Sequence, residues 1–163
     1  MTEKKLTHLD SAGQAHMVDV SEKEITLRRA VARARVTMNR ATFDVLSSGQ
    51  TKKGDVVATA RIAGIQAAKR TSEWIPLCHA IALTKVSIDI ALENEGVTIR
   101  ATAEARDRTG VEMEALVAAS TSALTIYDML KAIDRGMSFD VCLEEKTGGK
   151  SGPFHREEGR DEG

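Results

Sequence analysis

Four charged side chains, Glu112, Glu114, Asp128 and Lys131, are set into an otherwise apolar stretch from about Gly110 to Ala132. Two apolar stripes at helical spacing run through it. One is Val111, Ala115, Ala118, Ser122, Met129 and Ile133; the other is Met113, Leu116, Ser120, Leu124, Tyr127 and Leu130. The pattern predicts a long helix that is apolar around most of its circumference and therefore buried. Asp128 and Lys131 are i and i+3 neighbours on one face. They read either as a surface ion pair near a helix end, worth under ~1 kcal/mol, or as an acid/base pair at a site. Glu112 and Glu114 read either as first-turn carboxylates that favour the positive helix end or as part of a site there. Glu114 and Asp128 are 14 residues apart. At ~100° per residue they fall within about 40° of the same face, and at 1.5 Å rise they are about 21 Å apart. One small ligand can hardly touch both in one chain. If both serve a site, the ligand is long or the two ends belong to sites completed by neighbouring subunits, which makes a homo-oligomer with interfacial sites a natural hypothesis.

Three shorter segments also carry chemistry. Lys52-Lys53-Gly54-Asp55 precedes a second predicted helix, and a lysine beside free helix N–H groups is a usual phosphate holder. A solvated loop lysine is the plainer reading. Cys78-His79 lies in a loop; adjacency alone does not make a nucleophile–base pair, and a lone His is more often structural. Gly149-Lys150-Ser151 has the ending of a Walker A motif, but Glu144 stands where its first glycine belongs and Gly152-Pro153 follows in place of a helix. A nucleotide P-loop is rejected. A Gly-rich loop with Lys146 and Lys150 can still hold phosphate oxygens.

The elements that must position these residues follow from periodicity. Residues 1–24 are polar and without period, with 1–20 read as an N-terminal arm. Ile25 to Met38 alternates, with Ala30, Ala32, Ala34 and Val36 on one side and Arg29, Arg33 and Arg35 on the other, the signature of a half-buried strand. Asn39 and Gly49 bracket a short helix over 40–48, and Asp55 caps a second over 56–69. Pro76 breaks the chain into a loop. Val86 to Leu92 and Val97 to Ala103 form a hairpin around Asn94-Glu95-Gly96. The long helix follows, then a strand from Met137 to Leu143, a Gly-rich loop at 148–153, and a charged, frayed tail over 155–163. This is the split β-α-β order of a two-layer ferredoxin-like α+β sandwich, an antiparallel sheet with helices on one face, in one domain spanning 1–163.

Composition bounds the function. The chain has 163 residues, 23 Lys plus Arg against 24 Asp plus Glu, and five aromatics: Phe43, Trp74, Tyr127, Phe139 and Phe154. A net charge of −1 argues against nucleic acid held by bulk charge. The absence of aromatics from 25–38 and 83–104 argues against an RNA-stacking sheet. No apolar run approaches the ~18–20 residues of a membrane span. The opening Met1-Thr2-Glu3-Lys4-Lys5 lacks the apolar core of a secretory signal, and Cys78 and Cys142 show no zinc spacing. A cytoplasmic chain with reduced thiols, no nucleic acid, no membrane and no resident metal is expected.

Several motifs, in order, resemble one family. They are His16-Met17-Val18-Asp19-Val20-Ser21, Lys53-Gly54-Asp55-Val56, the run from Ala58 to Thr71, and Ile75-Pro76-Leu77-Cys78-His79. Gly110-Val111-Glu112-Met113-Glu114, Ala123 to Met129 with Lys131, and Gly148-Gly149-Lys150-Ser151-Gly152 complete the set. Over roughly residues 6–154 the chain resembles the cyclic pyranopterin monophosphate synthases, the molybdenum cofactor biosynthesis protein C family. The resemblance implies a lyase that converts 3′,8-cyclo-7,8-dihydroguanosine 5′-triphosphate, itself made from GTP, into cyclic pyranopterin monophosphate and pyrophosphate. It implies a homohexamer, a trimer of dimers, with active sites at subunit interfaces. By position, Asp128, Lys53 and Lys131 match the catalytic residues. Leu77, Cys78, His79, Met113 and Glu114 match substrate-binding segments, and Glu112, Arg28, Asp19 and Lys146 fall around the pocket. No cofactor is required on this reading, with Mg²⁺ entering only through substrate phosphates. Ala80 departs from the family's usual proline after the Leu-Cys-His triplet, which loosens the loop holding His79.

The chemistry suits these residue types. Opening a purine-derived ring and reclosing it as a pterin needs several proton transfers, for which carboxylates and lysines in a partly desolvated site can be tuned. Attack of a ribose hydroxyl on the α-phosphorus needs cations to offset triphosphate charge. A phosphate-ligand sensor would keep the binding loops and lose Asp128, Lys53 and Lys131. A purely structural oligomer would bind no guanine-derived ligand.

Overall fold

The computed structural model describes residues 8–10, 12–49, 51, 53–93 and 96–157. Residues 1–7 of the expected arm, Lys52, the turn residues Asn94 and Glu95, and residues 158–163 of the expected tail lie outside the described residues. The elements are β1 (Thr26–Thr37), α1 (Arg40–Ser47), α2 (Val56–Ala68), α3 (Thr71–Trp74), β2 (Leu83–Glu93), β3 (Gly96–Asp107), α4 (Glu112–Leu130), β4 (Ser138–Thr147) and β5 (Phe154–His155). The strands form one sheet in the order β2-β3-β1-β4-β5, with every neighbouring pair antiparallel. α2 packs on α4, and α4 packs across β1, β3 and β4. This is the expected two-layer ferredoxin-like α+β sandwich.

The predicted caps form. The Asn39 side chain accepts the Thr42 N–H at 2.9 Å and the Asp55 carboxylate accepts that of Ala58 at 2.9 Å, each filling one of the donors a helix start leaves open. Three details differ from expectation. Thr71–Trp74 make a short helix because the buried Thr71 hydroxyl donates back to the Ala68 carbonyl at 3.0 Å. β4 continues past Leu143 to Thr147. His155, expected at the start of a frayed tail, pairs with Glu145 on the β4 edge, and the Arg156 N–H donates to the Glu144 carbonyl at 2.8 Å.

Small residues build the core. Ala30, Ala32 and Ala34 of β1, Ala101, Ala103 and Ala105 of β3, and Ala115, Ala118, Ala119 and Ala123 of α4 are essentially inaccessible. Each buries little apolar area, so cohesion depends on backbones lying close. The tightest point is Gly64 of α2. A Cβ there would stand 2.2 Å from Ser122 Oγ and 2.9 Å from the Ala118 carbonyl oxygen. Ser122 is fully buried on α4 and its hydroxyl donates across the gap to the Ala60 carbonyl at 3.0 Å.

One irregularity in the sheet positions a functional side chain. Val31 of β1 faces Glu145 of β4, whereas Ala32 faces Leu143, so Glu144 is an extra residue in β4, a β-bulge. Glu144 sits on the face away from the helices, between Arg33 at 3.4 Å and Arg100 at 3.0 Å. Beyond it the in–out alternation is inverted. Lys146 therefore lies opposite the buried Ala30, on the helix side.

Gly64→Ala is expected to lower stability by about 1–3 kcal/mol in urea unfolding through overpacking, despite the ~1 kcal/mol that alanine gains over glycine in a helix. Adding Ser122→Ala removes the nearest clash and should recover part of the loss. Unchanged stability in the single variant would show that α2 and α4 part freely.

Candidate active site

The positive end of α4 opens onto two contiguous cavities. The smaller, of about 370 Å³, is lined by Leu77, Cys78 and His79 from the loop after α3 and by Glu112, Met113 and Glu114 from the first turn of α4. The larger, of about 700 Å³, is lined by Arg28, Arg108, Lys146, Gly149, Lys150 and Ser151, with Glu22 and Glu24 among its acidic members; cations outnumber acids in it. Lys23, Thr109, Gly110 and Glu112 line both. Eight of the nine residues expected around the substrate thus converge here from β1, the Pro76 loop, α4 and β4; the ninth, Asp19, does not. Two of the arrivals have structural causes: the bulge turns Lys146 inward to meet Glu112 at 3.4 Å, and the end of β3 pins Arg28 through two backbone carbonyls.

The two carboxylates of the first turn differ. Glu112 has Lys146. Glu114 is 3 % exposed and has no ion pair among the described residues. Burial pushes its carboxyl up to about 7; its own backbone N–H opposes the rise, and the Glu112 and Asp107 charges add to it. A favourable helix end therefore does not account for Glu114, since desolvation outweighs it. Burial also raises the Cys78 thiol, with Glu114 adding to the effect. This argues against a thiolate nucleophile. Asp19 lies beside His79 and Arg108 in a neighbouring cleft, and hydrogen bonds from Ser21 hold its carboxyl below the usual range.

The negative end of α4 carries the other group. Lys131 Nζ donates to Asp128 Oδ1 at 2.5 Å. Lys53 Nζ reaches in from the turn before α2 and donates to the Asp128 backbone carbonyl at 2.9 Å, a carbonyl left open by the helix end. The Asp128 carboxyl is held below the usual range by Lys131 first, through its hydrogen bond and its charge, and then by Lys53. Neither reading of Lys53, a free loop lysine or a phosphate holder at the α2 start, describes where its side chain lies. Asp55 fills that helix start with a carboxylate, and Lys53 turns to α4.

Glu114 and Asp128 are 14 positions apart in one uninterrupted helix, so the two groups stand about 21 Å apart along it. The chain brings together the eight binding residues, and separately Lys53, Asp128 and Lys131, but does not bring the two sets together. Sequence reasoning missed Lys23 and Arg108, which line the cavities. No periodicity marks them; Arg108 Nε donates to the Lys23 carbonyl at 3.0 Å, a contact across 85 positions. Among the described residues no cluster of three or more His, Cys, Asp or Glu side chains is placed to hold a metal ion.

The profile of the MoaC family matches residues 17–149. A cyclic pyranopterin monophosphate synthase of Thermomicrobium roseum is 55% identical over 157 residues, covering 94% of this chain and 95% of the relative. Proteins of the same name from Parvibaculum lavamentivorans and Peptoclostridium acidaminophilum are each 52% identical, covering 94% of this chain and 98% of the relative. With the family profile spanning most of its length and relatives of such identity over nearly all of it, this chain belongs to the MoaC family.

Proposed function

We propose that the chain is a cyclic pyranopterin monophosphate synthase. In this reading it is a lyase of molybdenum cofactor biosynthesis that converts 3′,8-cyclo-7,8-dihydroguanosine 5′-triphosphate to cyclic pyranopterin monophosphate and pyrophosphate. The observation that carries the reading is the pairing of a cationic cavity with a separate aspartate–lysine cluster, at the positions the family motif assigns. Arg28, Lys146 and Lys150 offset triphosphate charge as the ribose hydroxyl attacks the α-phosphorus and pyrophosphate leaves. Leu77, Cys78, His79, Met113 and Glu114 hold the guanine-derived ring. Asp128 and Lys131 move protons during ring opening and reclosure, and Lys53 serves as an acid near the ring or the phosphates. No resident metal is needed, because cationic side chains surround the phosphates; Mg²⁺ enters only with the substrate.

The distance along α4 supports a site shared between subunits, the Lys53–Asp128–Lys131 group of one chain completing the cavity of another. The helix layer leaves Ile62, Trp74 and Leu124 exposed, apolar surface of the kind that subunit contacts use. A homohexamer, a trimer of dimers, is the proposed assembly. Two free cysteines suit a cytoplasmic location, and among the described residues no helix is long and apolar enough to cross a membrane. The three intact catalytic positions favour an enzyme over a silent sensor.

Pyrophosphate release from the cyclised dihydro-GTP, and none from GTP, is the expected result, with activity kept in a chelator-treated arm. Tight binding of the cyclised compound without release would replace the enzyme by a sensor. Loss of activity with chelator, restored by Mg²⁺, would show that the ion takes part.

Sharing of the site has its own test. His79→Ala and Lys131→Ala should each be inactive, and an equal mixture refolded together should regain about a quarter of wild-type activity, because half the dimers then hold one intact site. No recovery would place both residues in the site of a single chain.

The Glu114 carboxyl predicts a pH dependence. The folded chain keeps a proton there from the ordinary value of 4.5 up to about 7, where the unfolded chain has released it. Stability linked to that proton is complete below pH 4.5 and is lost as pH rises through about 7. Glu114→Gln should therefore gain on wild type across that window, by up to about 3 kcal/mol above it. Parallel stability–pH curves would show that the carboxylate stays solvated.

A further inference from the structure

The Arg28 guanidinium is fixed before any ligand arrives. Its Nε donates to the Asp107 carbonyl at 3.1 Å and its Nη2 to the Arg108 carbonyl at 3.0 Å. These carbonyls are themselves held in a turn where the Asp107 carboxylate accepts the N–H groups of Arg108 and Thr109. Arg28 is 8 % exposed, yet it lines the larger cavity. A guanidinium has five N–H donors, and these contacts use two. The other side of the group is closed by Gly149. A Cβ at Gly149 would fall 1.8 Å from Arg28 Nη1 and 3.0 Å from Cζ, so no other residue fits there without displacing the guanidinium.

Gly149 also has a positive φ of 83°, which alone would favour glycine. The loop contains its own control. Gly152 has φ of 71°, and a Cβ there meets nothing within 4 Å. Backbone strain is therefore common to both glycines, and the contact with Arg28 belongs to Gly149. Gly148 is a poorer probe, since its Cβ would strike the Leu27 carbonyl oxygen of β1 at 2.2 Å.

We propose that Gly149 is a positioning residue: by leaving space for the Arg28 guanidinium it holds that group as the fixed donor of an anion subsite, shared with Lys146 and Lys150, for the phosphates of the ligand. The identification of the anion as a triphosphate rests on the synthase reading; the cradle itself does not.

The test measures binding of inorganic triphosphate by calorimetry alongside KM and kcat for the cyclised substrate. Gly149→Ala should weaken triphosphate binding and raise KM by about tenfold or more, with a smaller change in kcat, while Gly152→Ala stays close to wild type in both. Arg28→Ala should lose binding to a similar degree. The Arg28→Ala/Gly149→Ala pair should be no worse than Arg28→Ala, because the group that the new Cβ would strike is gone. If Gly149→Ala fails to fold, the pair carries the test, since relative to Arg28→Ala it should lose only the melting temperature that Gly152→Ala loses relative to wild type, the strain common to both positions. Equal effects of Gly149→Ala and Gly152→Ala, or losses that multiply in the pair, would overturn the cradle and leave only backbone strain. Pyrophosphate release by a wild-type protein that binds no triphosphate would overturn the anion subsite and keep the synthase. Triphosphate binding in the expected order without pyrophosphate release would keep the cradle and remove the synthase.

Discussion

Helix α4 is locked in place by side chains that have nowhere to go, and the distances in the site follow from that. Ala115, Ala118, Ala119 and Ala123 pack against the alanines of β1 and β3, and Ser122 meets Gly64 of α2 where no further carbon fits. Larger side chains can trade rotamers and let a helix tilt; alanine has none to trade. A helix held in this way transmits its length without loss. Its two ends carry opposite ends of the backbone dipole, and each end gathers a different set of groups. A reaction that needs both sets must use a long ligand or draw them from two chains.

The positive end collects its cations by backbone irregularity. Ordinary alternation along β4 would turn Lys146 away from the helices, and the extra residue Glu144 turns it toward them. The energy of the bulge is set on the opposite face, where Glu144 lies between Arg33 and Arg100. Arg28 arrives by strand geometry and is held by carbonyls, and among the described residues it has no ion pair. Glu114, two positions from a paired Glu112, has no ion pair among the described residues and keeps its proton to about neutrality. Desolvation, which scales with burial, decides between two acids that the helix dipole treats alike.

Much of this was legible in the residues. Period two in β1 and the hairpin, the caps Asn39 and Asp55, and the 14-residue spacing on α4 each fix a local conformation or a distance that tertiary context did not override. The spacing also set the two carboxylates about 21 Å apart, a distance that the uninterrupted helix keeps. What could not be read depended on contacts between distant segments. The apolar alternation of Met137, Phe139, Val141 and Leu143 stops at Leu143, and a bulge at Glu144 interrupts that pattern without ending the strand. Lys53 pointed by sequence to the α2 start, and only the tertiary fold shows the Asp128 carbonyl within its reach. Gly149 stood out as part of a motif, but its partner Arg28 is 121 positions away.

The cluster at the negative end has a property that bears on assembly. In the single chain Asp128 is exposed, and Lys131 and Lys53 hold it ionised below the usual carboxylate range. A carboxylate so stabilised is a weak base. Enclosure by a second subunit would act in two directions. Removing water raises the carboxyl, making it a better base, while the lysine–carboxylate attraction strengthens as the dielectric falls. The first effect makes proton exchange between Asp128, Lys131 and a bound ring easier; the second keeps the three groups in register. Both depend on the surface that covers them, and the surface with vacant cationic donors and a proton-holding Glu114 is the one at the other end of the same helix. In the proposed reaction, then, assembly does more than bring residues near one another: it changes the acidity of those that the isolated chain leaves in water.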